Sequence, residues 1–360
     1  MKTWLFLIFS IACKSATEQS QTAVATLPYP LYEISGLILH GGKFYALSDG
    51  GAPAAIYQID TATGMILDST TFSNTSNKDW EDLAVDGNWV YIGDFGNNNG
   101  TRRDLCIYRF AATQLNTKNV KCDTIAFQYA AQHTFLSNPL SNYDCEAFIV
   151  IQDTVRLFSK SKTDGWCRIY QFPALPGHHT LTVTDSFAPG IWVTGAGKYQ
   201  NTISLCGYTW NSGFQPALIH GLGYIQGAWS KQTWNQPLTG LGQVESVQPL
   251  GACLWVAEEK QGTRPATLTR ICDIANKPNT LQKPDLQISP NPTLDICNLT
   301  IPMHLLPCKL ILRSASGATL TELNPDKPFI ELDLSAFPAG TYTLDLQHKH
   351  MKYSYQLLRQ

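Results

Sequence analysis

Apolar and polar residues alternate along most of this chain in short runs broken by Gly, Asp and Asn. Almost no segment carries apolar residues at helical spacing, so the pattern predicts β-strands joined by tight turns. The clearest runs are hairpins. EISGLILHGGKFYALSD covers Glu33 to Asp49, EDLAVDGNWVYIGD covers Glu81 to Asp94, and EAFIVIQDTVRLFSK covers Glu146 to Lys160. TGAGKYQNTISLCG, from Thr194, and ESVQPLGACLWVAE, from Glu245, repeat the form. The spacing between them is roughly 50 to 65 residues, the signature of an internal repeat.

A further strand pair follows each hairpin, as in AAIYQID with MILDSTTF. Four short antiparallel strands per unit predict an all-β fold, a β-propeller of five or six blades over residues 22–274. A sixth blade would be divided between the ends of this region, with the stretch from Thr22 as its outer strand. The competing architecture is a β-sandwich with hairpin connections. After Asp273 the pattern breaks into ANKPNTLQKPD, so residues 275–284 read as a linker and 285–360 as a small C-terminal β-sandwich.

In a propeller the first strand of each blade lines the channel and the second returns antiparallel to it. The ends of each hairpin therefore meet: Glu33 with Asp49, Glu81 with Asp94, Glu146 with Lys160, and Glu245 with Glu258. Propeller symmetry gathers these residues on one channel rim, together with Asp79, Asp82 and Asp144. Facing carboxylates repel and raise one another's pKa unless a cation or a proton relieves them. The candidate metal ligands are accordingly Glu33, Asp49, Glu81, Asp94, Asp144, Glu146 and Glu245, with Ca²⁺ as the natural ion because it takes many oxygen ligands. Asn97, Asn98 and Asn99 offer neutral oxygens nearby. Two other readings stand beside this one. The acids either cap backbone N–H groups at strand starts, or form a substrate-facing catalytic ring.

Other chemistry is sparse. The sequence has no GxSxG, HExxH or P-loop, and DFGNNNG does not have EF-hand spacing. The histidines lie outside the hairpin openings; His178 and His179 fall in an expected turn, and His220 in a Gly-rich stretch. No catalytic residue is assigned.

Composition narrows the class. With 44% hydrophobic residues and a formal net charge of -2, the chain suits a folded protein and lacks the basic excess of a nucleic-acid binder. No apolar run approaches the roughly 20 residues of a membrane span. Residues 1–16 read as a signal-peptide region, with Lys2 before WLFLIFSIA; cleavage precedes Cys13, or SIAC serves as a loose lipobox. Export would permit disulfides, and Cys106 with Cys122, Cys253 with Cys272, and Cys297 with Cys308 fall in neighbouring expected strands. Buried free thiols are the alternative.

Two resemblances add to this reading. Pro290-Asn291-Pro292, the Ser316-Gly317 turn, Leu332-Asp333-Leu334-Ser335, Pro338-Ala339-Gly340-Thr341-Tyr342 and the closing QLLRQ resemble the type A C-terminal sorting domain of the Bacteroidetes type IX secretion system. That resemblance, over about 284–360, implies Sec export, passage across the outer membrane by the type IX machinery, and a secreted or outer-surface location. ISGLI, DWEDLA, YIGDFGNNNG, NYDCEAF, TGA and GQVES resemble a propeller family of secreted proteins from the same phylum. More distantly the region is similar to esterase-like phytase and gluconolactonase-type propellers, which implies a channel Ca²⁺ held by Glu, Asn and Asp. Lys160 and Thr194 depart from that pattern. The functional expectation is a secreted or cell-surface binding module with an unknown extracellular ligand. The alternative is a metal-dependent hydrolase of an ester, lactone or phosphoester at the channel mouth.

Overall fold

A computed structural model describes residues 20–200, 202–209, 215–225, 228–230, 234–272, 286–301, 305–348 and 351–360. The signal-peptide region, Cys13 and the linker at 275–284 lie outside the described residues. The chain divides into two compact units, Met1–Pro278 and Asn279–Gln360.

The first unit is a five-bladed β-propeller. Blade I is built from Ile34–His40, Lys43–Ser48, Ala55–Ile59 and Ile66–Thr71, paired in sequence order. Blade II uses Trp80–Asp86, Trp89–Asp94, Cys106–Ala111 and Asp123–Tyr129, and blade III uses Cys145–Ile151, Thr154–Ser159, Cys167–Pro173 and Val183–Phe187. Between the last two strands of blade III the chain lends Gly177–Leu181 to the outer edge of blade II, in parallel pairing. Blade IV contains Trp192–Tyr199, Thr202–Thr209 and Gln215–Ile225, the last pairing with both Ala228–Ser230 and Trp234–Pro237. Blade V contains Val244–Leu250, Cys253–Glu258 and Thr267–Cys272.

The stretch that includes Thr22 does not begin a sixth blade. Ser20–Thr26 pairs antiparallel with Thr267–Cys272 and becomes the outer strand of blade V. The innermost strands of blades I to V pack against one another in order, and blade V packs back onto blade I. An N-terminal strand thus closes the ring by main-chain bonds, which removes a free sheet edge.

The alternation seen in the sequence has its physical outlet between blades. Apolar faces of neighbouring sheets meet in separate clusters: Phe95, Phe127 and Phe148 lie between blades II and III, and Leu37, Phe44, Trp255 and Leu268 between blades I and V. One expected disulfide forms, between Cys253 and Cys272, which face each other on adjacent strands. Cys106, Cys122, Cys297 and Cys308 are free and buried. Cys106 is opposite Ala126 across the sheet, whereas Cys122 precedes that strand and joins a different apolar cluster.

The second unit packs a sheet of Gln287–Ser289, Ile296–Thr300 and Phe329–Asp333 with a sheet of Thr319–Leu323, Lys309–Arg313, Gly340–His348 and Met351–Arg359. Its core joins Leu299, Leu310, Leu332, Leu344 and Leu357 from both sheets.

Candidate functional site

Each inner strand begins with the same irregularity. The pairing register slips between Ile34 and Gly36, Trp80 and Asp82, Cys145 and Ala147, Val193 and Gly195, and Val244 and Ser246. A bulge inserts one unpaired residue and re-aims its side chain. The inserted residues are Ser35, Glu81, Glu146, Thr194 and Glu245, all of them buried and polar. Ser35 Oγ donates to Trp80 O of blade II at 3.0 Å, and Thr194 Oγ1 donates to Val244 O of blade V at 2.6 Å. Hydroxyls at this position therefore staple one blade to the next, while the glutamates turn to the channel mouth.

The bulge also resets which residue of the returning strand reaches the mouth. Asp94 and Glu258 pair across the sheet with Trp80 and Val244, one residue short of the bulge. Their carboxylates are held by arginines of the following loops: Asp94 by Arg102 at 2.8 Å, Glu258 by Arg264 at 2.9 Å. The expected pairs Glu81–Asp94 and Glu245–Glu258 are thus replaced. The next residue along belongs to the mouth, which gives Asp49, Lys160, Tyr208 and Glu259. Phe95, the counterpart in blade II, turns into the core beside Phe148.

Glu33 is exposed at the end of a short 3₁₀ turn, where its carbonyl accepts Asp49 N–H at 2.9 Å. Its carboxylate is on the outer edge and outside the tight acid group. Asp144 is fully buried and already engaged: Oδ1 accepts Asn97 N–H at 3.0 Å, and Oδ2 lies 3.0 Å from Lys162 Nζ. Asn97 Oδ1 accepts Arg102 N–H at 2.9 Å and Asn98 Oδ1 accepts from Lys162 at 2.6 Å, so both side-chain oxygens are occupied.

What remains is a cup with two halves. In one half, carboxylate oxygens of Asp49, Asp79 and Glu81 all lie within 4.8 Å of one another. Gly50 and Gly96 form its walls: an added Cβ would come within 2.8 Å of Asp79 Oδ1 at Gly50, and within 2.0 Å of Glu81 Oε1 at Gly96. Glu81 is only 6% exposed, and among the described residues its carboxylate has neither a hydrogen-bond donor nor an ion-pair partner. In the other half, buried Lys160 pairs with Glu146 and approaches Tyr208 Oη at 3.1 Å. Lys160 and Glu146 in turn act on the carboxyls of Glu245 and Glu259, Lys160 favouring their charge and Glu146 opposing it.

Burial dominates the electrostatics here, and mutual repulsion adds to it. Burial and then the charges of Glu146, Asp49, Asp79 and Asp144 push Glu81 well above the ordinary carboxylate range. Burial, with Asp79 and Glu33 adding to it against the Gly50 N–H, brings Asp49 up to about 6. Burial raises Glu146 to about 7 despite Lys160, and raises Glu259 to about 8 with help from Asp49, Glu33 and Glu146. Lys160 is the reverse case. Burial opposes its charge, yet Glu146, Tyr208, Glu245 and Asp144 outweigh that and hold the ammonium well above its usual range.

Below the cup the channel is filled. Asp82, fully buried, accepts N–H bonds from Leu83 at 2.7 Å, Phe148 at 3.1 Å and Ala196 at 3.2 Å, joining blades II, III and IV. Beneath it is a cavity of about 20 Å³, lined by Leu83, Phe148, Gly197 and Gln248 among others, with room for about one water. Gly197 is required there, since a Cβ would stand 1.9 Å from Val247 O. At the far end Lys198 Nζ binds Asp86 at 2.7 Å and Val150 O at 3.0 Å. His220 takes no part in the cup; its Nδ1 is 2.7 Å from Ser204 Oγ.

Asp79, Tyr208 and Glu259 complete the mouth beyond the expected ligand set. Glu259 was within reach of sequence reading had the bulge been recognised, since a one-residue slip moves the channel position from Glu258 to Glu259.

No protein-family model and no curated protein matches the chain. Among solved structures it is similar to PorZ, described as an essential bacterial surface component of the type-IX secretion system of Porphyromonas gingivalis. That likeness has 11% identity and a TM-score of 0.36 over 91% of this chain and 45% of PorZ, so the chain spans less than half of PorZ's length. An exo-β-1,3-galactanase from Phanerochaete chrysosporium is similar at 10% identity and TM-score 0.43, over 94% of this chain and 99% of that one. The catalytic domain of a Coprinopsis cinerea GH62 α-L-arabinofuranosidase is similar at 12% identity and TM-score 0.43, over 71% and 96%. The propeller itself rests on the strand order and ring closure described above, and among the described residues no helix is long and apolar enough to cross a membrane.

Proposed function

We propose that this chain is an exported binding module whose channel mouth holds a cation on Asp49, Asp79 and Glu81, with Ca²⁺ as the metal. One observation carries the reading: a carboxylate as buried as Glu81, with no counter-ion among the described residues, stands against two further carboxylates. Burying an unpaired charge is costly, and a bound cation removes that cost. The all-oxygen donor set suits a hard ion, and three carboxylates leave coordination positions for water or ligand oxygens. The test is a thermal melt of the EDTA-treated chain with added Ca²⁺, Mg²⁺ or Zn²⁺. At 100 times its Kd an ion that binds only the native state adds about 2.7 kcal/mol. A rise with Ca²⁺ supports the site, and no rise with any metal refutes it.

The spread of proton affinities, with Asp49 near 6 and Glu259 near 8 in one cup, favours a second reading as a metal-dependent hydrolase. Metal-dependent turnover of lactone or phosphoester substrates would support it. The export route rests on the motifs of the C-terminal unit, read as a type IX sorting domain that hands the propeller to the outer surface or the medium. Deleting residues 285–360 in a Bacteroidetes host should trap the propeller in the periplasm. Unimpaired release would remove this part of the reading.

A further inference from the structure

We propose that the Asp49–Asp79–Glu81 half of the cup is a receptor for a primary ammonium group, the head of an alkylamine or of a lysine side chain. The inference rests on the reading of the mouth as a cation site and names an organic occupant for it.

The first argument is the repeat itself. Glu81 and Glu146 hold the same bulge position in adjacent blades. In blade III that position is already served by an ammonium: Lys160 directly follows the returning strand, binds Glu146, and lies 3.1 Å from Tyr208 Oη. In blade II the equivalent residue is Phe95, buried in the core beside Phe148, and among the described residues Glu81 has no partner. The mouth thus contains one acid site filled by the protein's own ammonium, and beside it a second acid site that the chain does not fill.

The second argument is geometric. A primary ammonium carries three N–H donors at tetrahedral angles. With charge-assisted N···O distances of about 2.8 Å, its three acceptors stand about 4.6 Å apart. The three carboxylates present oxygens no more than 4.8 Å from one another, close enough for each to accept from one donor of a single ammonium. The neutral oxygens a metal would recruit nearby, on Asn97 and Asn98, are engaged elsewhere. Gly50 and Gly96 keep the approach free of side chains.

The rim suits an ammonium on an apolar stem. Tyr32 precedes Glu33, is 40% exposed, and already has Lys260 Nζ 5.5 Å from its ring centroid, a cation–π contact. Tyr29, 70% exposed, meets Tyr32 edge to face at 6.0 Å.

The test uses the full chain freed of divalent ions, with two readouts. One is the melting temperature with n-butylamine, spermidine, a blocked lysine tripeptide or tetramethylammonium, each near pH 7.5. The other is displacement of Tb³⁺, followed by its luminescence. The three primary amines should raise the melting temperature and raise the apparent Tb³⁺ dissociation constant at least tenfold. Tetramethylammonium, which has no N–H donors, should do neither. Glu81→Gln and Asp49→Asn, each checked for a cooperative melt, should abolish both effects. The tighter of spermidine and the lysine peptide names the source. Tb³⁺ or Ca²⁺ binding that ignores every amine overturns the ammonium site and leaves the metal reading standing. Amine binding without any metal response does the opposite. Amine effects that persist in both variants, or that tetramethylammonium reproduces, overturn the proposal outright.

Discussion

Glu81 and Glu146 occupy the same inserted position at the start of neighbouring inner strands, yet only Glu146 meets a cation, Lys160. Glu81 is held by the fold against its own electrostatic preference, since burial and four neighbouring acids all oppose its charge. Glu81→Gln should therefore stabilise the cation-free protein near neutral pH, by about 2–4 °C for each kcal/mol of repulsion relieved. The same substitution should abolish any melting response to Ca²⁺. A lower cation-free melting temperature in the variant would contradict this account of the cup.

Lys160 should behave in the opposite way. Removing one partner of a buried ion pair leaves the other charge uncompensated, which costs about 3–5 kcal/mol. Lys160→Met should lower stability by that order in urea unfolding at pH 8. The loss should shrink as pH falls through the range where Glu146, near 7 even with its partner present, takes up a proton. A deficit independent of pH would point to lost packing instead.

The fold's regular features were legible along the chain. The alternation marked the five hairpins and their turns, because period-two patterning is a direct consequence of burying one face of a strand. The bulges were not legible. Each shifts pairing by one residue without altering the apolar pattern beyond it, so Glu258 and Asp94 read as channel residues although their arginine-held carboxylates lie elsewhere. Ring closure was legible in part. The stretch from Thr22 is an outer strand, as its position at the start of the repeat region suggests, but it completes blade V beside Thr267–Cys272 rather than a sixth blade.

Cation-free stability should fall as pH rises from about 4 to about 8. Asp49, Glu146 and Glu259 reach about 6, 7 and 8 in the folded chain, so between their ordinary values near 4 and these the native state binds more protons than the unfolded one. Stability from such groups is complete below the unfolded pKa and is lost as pH rises through the folded one. Asp164, where burial is outweighed by hydrogen bonds from Arg168, Ser161 and Trp166 N–H that bring it down to about 2, acts in the other direction but only below that window. Chemical unfolding at several pH values would show the decline, and added Ca²⁺ should flatten it by replacing the protons. A maximum at pH 8 without metal would refute the electrostatics given for the mouth.

Asp82 tests whether the ring depends on its central polar contacts. Its fully buried carboxylate takes three backbone N–H bonds, from Leu83, Phe148 and Ala196. Asp82→Leu would leave those donors without acceptors, at about 1–3 kcal/mol each. Asp82→Asn keeps the shape and one good acceptor, but its amide would face a donor, so a smaller loss is expected. Hydrogen exchange separates this role from generic packing. In Asp82→Leu the amides of Leu83, Phe148 and Ala196 should lose protection far more than amides of the outer strands, because these three lose a partner directly. Uniform loss across the blades would make Asp82 a packing residue. Unchanged protection at Phe148 and Ala196 would remove it from the ring altogether.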